Sequence, residues 1–279
     1  MIAVLTREAR GQVLDLPDAT TNPTAPPRDV DQKLPYWERG EIRPFTSAVF
    51  DVGGFFVRPE LNVGYGQPHF NWIGAEIFSK LTLGGVTLGA GVHGQIPNVD
   101  ARLGVRSFRS ADQRLLQRKN VYRESDPTIL DQPASAYDSV DADLAVNVRA
   151  LGGSVSLETR ALALFQVPDG YDVFEDVFRV VVRPPLVWQA KLTYVVFAGW
   201  DDRLALGFTT ELLGAPARDN LVFRVGPVLT VALTEHLQAI GGGAFAILYH
   251  DDLGLSGSDL GQIGLRYRWA SGEPYPDFP

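Results

Sequence analysis

The sequence predicts an all-β fold, a single antiparallel up-and-down barrel that crosses a membrane with about 12 strands. Three observations predict it. Segments in which apolar and polar residues alternate recur from about residue 43 to residue 269. These segments are on average more than about ten residues long, whereas strands of globular proteins usually have about five or six. The two longest connections both follow odd-numbered strands, which places long loops at one rim and tight turns at the other, as in membrane barrels.

Three parts of the chain are predicted: an irregular N-terminal arm (residues 1–42), the β-barrel (residues 43–269) and a C-terminal extension (residues 270–279). The arm is rich in proline and polar residues, which predicts irregular chain; the alternative is a segment that folds into the barrel mouth. Residues 1–40 lack the basic start and apolar core of a secretion signal. Export would therefore rely on a signal peptide removed before this numbering or absent from this sequence.

The predicted strands are residues 43–52, 55–65, 70–83, 86–96, 99–109, 140–151, 154–167, 186–200, 204–213, 221–233, 236–249 and 259–269. A polar loop, residues 110–139, separates the fifth strand from the sixth. A second excursion, residues 168–185, has two interpretations. It forms a short amphipathic helix, or residues 177–183 extend a strand as far as Pro184 and Pro185.

Composition excludes several classes of protein. The net charge of −8 without any basic run argues against a nucleic-acid partner. The absence of cysteine excludes a disulfide framework and a thiolate metal site. No apolar run reaches the roughly 18 residues that a membrane-spanning helix needs.

The last predicted strand carries a resemblance to a known class. Residues 262–269 alternate apolar and polar side chains and close on the aromatic Trp269, and this pattern resembles the C-terminal assembly signal of bacterial outer-membrane β-barrels. Here the chain continues for ten residues past Trp269. Within that class the sequence looks most like small porin-like proteins. The resemblance implies a location in the bacterial outer membrane, a lipid bilayer as partner and a role in transport.

If the apolar faces meet lipid, the alternate faces line a lumen. The predicted pore-lining residues are Arg58, Glu60, Glu76, Lys80, Arg102, Arg106, Asp141, Asp143, Arg149, Glu158, Arg160, Lys191, Glu211, Arg224, Arg266 and Arg268. With Asp100, they give ten basic against seven acidic side chains. The excess of basic groups suggests a small-solute pore that prefers small anionic solutes. The alternative is a barrel whose paired charges close the lumen and which acts as an anchor or as a loop-based binding surface.

Other motifs predict no enzyme, no cofactor and no metal. Residues 89–94 match GxGxxG, but a turn follows them instead of a helix, so a glycine-rich strand is the better interpretation. The pair Asp141 and Asp143 resembles metal ligands on a strand that also carries Arg149. His250 with nearby acids and serines is the only hydrolase-like group, and a polar loop explains it. The acids of the long loop fit no EF-hand, so solvated charge is expected there. A soluble barrel with the charges outside is compatible with the same alternation.

Overall fold

A computed structural model describes residues 37, 41–54, 56–129, 131–199, 203–258 and 264–272. Most of the predicted N-terminal arm and of the C-terminal extension lies outside these residues, so both boundaries stay predictions. Every helical segment in the described part of the chain is too short to cross a membrane.

Sixteen strands account for most of the described residues. They are β1 (Arg43–Gly53), β2 (Phe56–Gln67), β3 (Asn71–Thr82), β4 (Gly85–Ile96), β5 (Val99–Arg114), β6 (Leu116–Gln117), β7 (Ala134–Ala150), β8 (Gly153–Phe165), β9 (Tyr171–Glu175), β10 (Val180–Val182), β11 (Leu186–Ala198), β12 (Leu204–Ala215), β13 (Asn220–Ala232), β14 (Leu237–Gly242), β15 (Phe245–Leu248) and β16 (Gly264–Ala270). Short 3-10 turns occupy Asp126–Thr128, Pro216–Arg218 and Gly254–Gly257.

Thirteen of these strands form one closed antiparallel sheet. Up to β13 each strand of this sheet pairs with the next one along the chain. β13 then pairs with both β14 and β15, β14 pairs with β16, and β16 pairs with β1 to close the circle. Because β14 and β15 share one position beside β13, the barrel has 12 strand positions, as the sequence predicts. The remaining strands, β6, β9 and β10, form a small separate sheet.

The two faces of the wall have opposite chemistry. On β2 the side chains of Leu61, Val63 and Tyr65 are exposed, whereas those of Glu60 and Asn62 are buried inside the barrel. The same alternation gives the other strands exposed apolar residues such as Ile73, Leu103 and Leu192. An outward apolar belt around a closed barrel is the surface of a transmembrane barrel, because closure leaves no unpaired strand edge in lipid.

The connections differ at the two rims. One rim carries tight turns, including residues 68–70, 97–98 and 151–152, and the other carries the excursions after β5, β8 and β15. The first barrel strand begins at the tight-turn rim, and the last one ends there. Short periplasmic turns, long external loops and an even number of strands are the layout of bacterial outer-membrane barrels, and the barrel of this chain has that layout.

Several predicted boundaries were wrong. The pairing of β5 with β7 continues past an irregularity to Arg114 and Ala134, so the long loop is shorter than residues 110–139. Backbone pairing beyond the membrane needs no apolar alternation, which is why the pattern did not reveal it. The predicted eleventh strand is broken into β14 and β15 around Gly243 and Ala244. The last strand begins at Gly264 in the described residues, while residues 259–263 lie outside them.

The excursion of residues 168–185 is a hairpin, not a helix. Val180 pairs with Glu175 and Val182 with Val173, and the hairpin lies inside the barrel. We call residues 171–182 the inserted hairpin. Its strand β10 corresponds to the predicted extension of residues 177–183, but it pairs with β9 rather than with the wall.

The interior is apolar near both ends. At the loop rim, Val173, Phe178, Val180 and Val182 of the inserted hairpin pack against inward side chains of the wall such as Leu162. At the tight-turn rim a smaller cluster is formed by Val195, Ala205, Val228 and Ile240. The rings of Phe45 and Trp72 meet edge to face nearby, with centroids 5.4 Å apart. The charged residues therefore lie in the middle of the lumen.

Candidate functional site

The inner wall carries the residues predicted from the alternation. The side chains of all 16 predicted pore-lining residues are buried or half-buried, and the apolar residues beside them face outward. This places the charges inside the barrel. Whether these residues line a conducting pore stays a prediction.

A first charged cluster spans β2 to β5. The Nδ1 and Nε2 atoms of His93 lie 3.0 Å from Glu76 and 3.0 Å from Asp100. The guanidinium of Arg102 lies 3.7 Å from Glu60 and 3.5 Å from Glu76, so it bridges two strands. Arg58 donates to Glu60 at 2.7 Å. The cluster is a network in which each carboxylate faces a cationic group or the imidazole.

Glu60, Glu76 and His93 are the described residues whose ligand atoms could hold a metal ion, since these atoms lie within 4.8 Å of one another. Arg102 already faces both carboxylates at salt-bridge distance. Its guanidinium supplies the positive charge that a cation would bring, so the cluster is balanced by the chain itself. We assign no ion to it.

A second group of ion pairs crosses β7 to β13. Arg160 pairs with Asp143, with Nη2 and Oδ2 2.9 Å apart. Glu211 is fully buried and lies 3.0 Å from Lys191 and 3.4 Å from Arg224. Because Asp143 is engaged by Arg160, the metal interpretation of the Asp141 and Asp143 pair has no support from this geometry.

The tip of the inserted hairpin reaches the charged layer. Arg224 donates to the carbonyl oxygens of Phe178 at 2.8 Å and of Arg179 at 3.0 Å. The carboxylate of Glu175 is 1% exposed. It accepts the backbone N–H groups of Val177 at 2.8 Å and of Phe178 at 2.6 Å, which closes the tip on itself.

Two wall cations meet the carboxylates of this tip. Arg106 Nη2 lies 3.4 Å from Glu175 Oε1, and Lys80 Nζ lies 3.4 Å from Asp176 Oδ2. Tyr137 donates its hydroxyl to the same Oε1 atom of Glu175 at 3.2 Å. The hairpin is thus held by apolar packing along its strands and by charge at its tip.

A third cluster ties the external loops to the hairpin. Arg218 donates to both carboxylate oxygens of Asp251, at 2.6 and 2.8 Å, and Tyr122 donates its hydroxyl to Asp172 at 2.9 Å. Burial raises the pKa of the Tyr122 hydroxyl well above its ordinary value, and the Asp172 carboxylate adds to the effect. Hydrogen bonding to Asp172 raises the pKa of Arg183. These contacts fix the base of the inserted hairpin to two neighbouring loops.

The His250 region has no hydrolase geometry among the described residues. The Nε2 atom of His250 is 3.0 Å from the carbonyl oxygen of Asn120, and the side chain is exposed. Asp251 is held by Arg218, and Ser256 donates to Glu124 at 3.2 Å. The serine, the histidine and the acid therefore have separate partners, as expected for a polar loop.

The other motifs also have structural roles. The GxGxxG run at residues 89–94 lies within the wall strand β4, as the sequence analysis expects. The acids of the long loop are spread apart: Asp126 pairs with Lys119 and Asp138 with Arg109.

Several residues of the site were missed by the sequence analysis. Asp51 and His93 lie on the inner face, and the alternation of Asp51 with Phe50 and Val52 was a signal for the first. Glu175 and Asp176 belong to the inserted hairpin. Nothing in the local pattern shows that this loop folds inward, because its position depends on side chains of distant strands.

No protein-family model matches the chain, and no curated protein matches it. Among solved structures, the chain is similar to an outer membrane channel from Pseudomonas putida F1, with a TM-score of 0.41 and 11% identity over 83% of this chain and 95% of the other. It is similar to the outer membrane protein Omp33 from Acinetobacter baumannii, with a TM-score of 0.35 and 10% identity over 82% and 98%. It is also similar to the KdgM porin in complex with disordered oligogalacturonate, with a TM-score of 0.36 and 8% identity over 80% and 98%. At these scores the likenesses carry no conclusion about solute or mechanism.

Proposed function

We propose that the barrel is a channel for small solutes in the outer membrane, and that the inserted hairpin closes it in the conformation described above. The observation that carries this proposal is the charged layer in the middle of the lumen. Buried ion pairs stabilise a fold less than apolar packing of similar volume does. An interior that only supported the wall would be more stable if it were apolar throughout, as it is near both ends. A polar interior is what an aqueous path requires.

The preference for anions is part of the proposal. On the inner wall, the ten basic residues predicted from the sequence face the seven predicted acids and Asp51. Cationic groups therefore remain in excess on the wall itself, and rings of arginine and lysine favour the passage of anions. A reversal potential measured across a salt gradient checks the sign: preference for cations would contradict it.

The test of the channel uses the absence of cysteine in the chain. Lys80→Cys and Asp176→Cys together place one thiol on the wall and one on the hairpin, at positions whose side chains are in contact. A short bifunctional thiol reagent then ties the hairpin to β3. In planar bilayers we expect stepwise current from the refolded, unlinked protein and loss of that current after cross-linking.

The matched control is Arg109→Cys with Asp138→Cys. These residues lie 3.2 Å apart at their charged atoms, on the neighbouring wall strands β5 and β7. The same reagent there leaves the hairpin unrestrained, so the current is expected to persist. Current that survives the link between residues 80 and 176 would contradict the role of the hairpin.

A second candidate function is a closed barrel that acts as an anchor or presents its loops as a binding surface. The pairing of lumen charges with one another, together with the buried apolar side chains of the hairpin, favours it. Such a barrel inserts into bilayers without passing current, whether or not the hairpin is linked. Insertion without current in every condition would therefore replace the first proposal by this one.

A further inference from the structure

The wall of the lumen binds the hairpin tip as it would bind an anion. Arg106 on β5, Lys80 on β3 and Tyr137 on β7 all reach carboxylates of the tip, at 3.2 to 3.4 Å. These three side chains come from separate strands of a rigid wall. They form a receptor for two neighbouring carboxylates, which are those of Glu175 and Asp176.

The charge of the lumen depends on this contact. The wall carries ten basic side chains and eight acidic ones when Asp51 is included among the inward residues named above. Glu175 and Asp176 add two carboxylates beside Arg106 and Lys80, whereas the side chain of Arg179 in the same hairpin is directed to the carbonyl oxygen of Ser256, so the carboxylates of the tip offset the excess of the wall where they meet it. A buried cation without a counter-charge is strongly unfavourable, so withdrawal of the tip leaves a place that favours another anion.

The structure also provides room beside the tip. A cavity of about 60 Å³ is lined by Val177 of the hairpin and by Lys80, Asp143, Arg160 and Lys191 of the wall. It is polar and large enough for water. At the tip, Val177 therefore borders this polar cavity, whereas the neighbouring Phe178 is packed in the apolar cluster of the hairpin.

We propose that Arg106, Lys80 and Tyr137 form a binding site for a small dicarboxylate, and that Glu175 and Asp176 occupy it in the closed channel as an internal copy of that ligand. The inference rests on the proposed function, because a solute reaches this site only through the lumen. A dicarboxylate that enters competes with the tip for the same cations. Binding of the dicarboxylate and opening of the channel are then the same event.

Succinate is the probe, and the neutral succinamide is its matched control. Val177→Cys places a single thiol at the half-buried tip of a chain that has no other cysteine. The rate of its reaction with a maleimide reports release of the tip. We expect succinate to raise this rate by about tenfold, the equivalent of one charge-assisted hydrogen bond, and succinamide to leave it unchanged.

Arg106→Gln in the same background is expected to abolish the response to succinate. The control is Arg109→Gln, which removes the same charge from the same strand, where the side chain is 55% exposed and lies away from the hairpin. This variant is expected to keep the response. An equal effect of succinamide, no effect of succinate, or a full response in Arg106→Gln would each overturn the site.

A second measurement uses chains without an added cysteine. The open probability of single channels is expected to rise with succinate in the unmodified protein and in Arg109→Gln, and to stay constant in Arg106→Gln. Current that does not respond to succinate overturns the dicarboxylate site and leaves the channel standing. A barrel that never conducts overturns the channel, and with it the site.

Discussion

Asp51 and Arg266 form the ion pair at which the first and last strands of the barrel meet. Both oxygens of Asp51 accept hydrogen bonds from the guanidinium, at 2.6 and 2.8 Å, and both side chains are buried. Such a two-point contact fixes distance and angle together. It joins the side chains of the two strands whose pairing closes the wall.

Asp51→Ala is expected to lower the free energy of unfolding by about 3–5 kcal/mol, because it leaves the charge of Arg266 buried without its partner. Urea unfolding of the protein refolded into lipid vesicles measures this. Asp138→Ala is the control, since its pair with Arg109 is largely exposed, and we expect it to cost at most about 1 kcal/mol. Equal losses of unfolding free energy in the two variants would mean that the buried pair of Asp51 and Arg266 contributes no more to stability than an exposed ion pair does.

The environment of His69, in the turn between β2 and β3, predicts that the stability of the fold depends on pH. Its Nε2 atom is 3.0 Å from the carbonyl oxygen of Trp269, and burial lowers its pKa to about 3. The unfolded chain binds this proton near pH 6.5. The free energy of unfolding therefore falls as the pH drops from about 6.5 toward 3, because only the unfolded state is protonated there.

His69→Asn tests this dependence. Residue 69 has a φ of 58°, a conformation that asparagine tolerates better than most residues, so the turn is kept while the titrating group is removed. The variant is expected to lose less stability than the unmodified protein between pH 6.5 and 4. Parallel unfolding curves for the two proteins across that interval would contradict a lowered pKa in the fold.

The inserted hairpin is the element that distinguishes this barrel from the one the sequence predicts. The wall strands could be predicted because each one alternates locally between lipid and lumen. The hairpin could not, because Val173, Phe178 and Val182 are buried by side chains from strands far away in the sequence. The same reason explains why Glu175 and Asp176 were absent from the predicted site: a loop carries no period that shows which way it folds.

Leu253 and Leu255 test how the external loops hold this element. Leu253 is 5% exposed and packs with Tyr122, Phe174 and Val181, whereas Leu255 is 62% exposed. Leu253→Ala is expected to destabilise the loop cluster by about 2–4 kcal/mol through loss of packing. Leu255→Ala, the matched control two residues away, is expected to change it by less than about 0.5 kcal/mol.

Hydrogen exchange of the backbone N–H groups of Val173 and Val181 measures this local effect. Faster exchange in Leu253→Ala alone is the expected result. Similar exchange in both variants would show that the hairpin is held without the loop that contains residue 253.

At the scale of the whole molecule, the architecture could be predicted from the sequence because the same alternation of apolar and polar residues repeats from strand to strand. The strands run alternately up and down around 12 positions, and the long loops all lie at one rim. The break between β14 and β15 did not follow, since the run of small residues from Gly241 to Ala244 carries no alternation that would show where the strand is interrupted. The pairing of charges across the lumen also depends on register between strands, which the alternation alone does not specify.

The orientation of the barrel can be tested with single cysteines. Asn98→Cys lies in the turn between β4 and β5, and Arg123→Cys lies in the exposed part of the loop after β5. A maleimide that cannot cross membranes is expected to label only residue 123 on intact cells and both residues after the outer membrane is broken. Labelling of residue 98 alone on intact cells would show that the barrel has the opposite orientation.

The contact between Asp51 and Arg266 also sets an order of events during assembly. The two residues are separated by 215 positions, so the acid in the first strand has no such partner until nearly the whole chain is present. Until then the growing sheet keeps one open edge on β1. When the last strand pairs with β1, seven residue pairs form along that edge, and the charge of Asp51 gains its counter-charge in Arg266. The first strand thus carries a charge that the last strand satisfies, and this contact belongs to the same pairing that closes the circle.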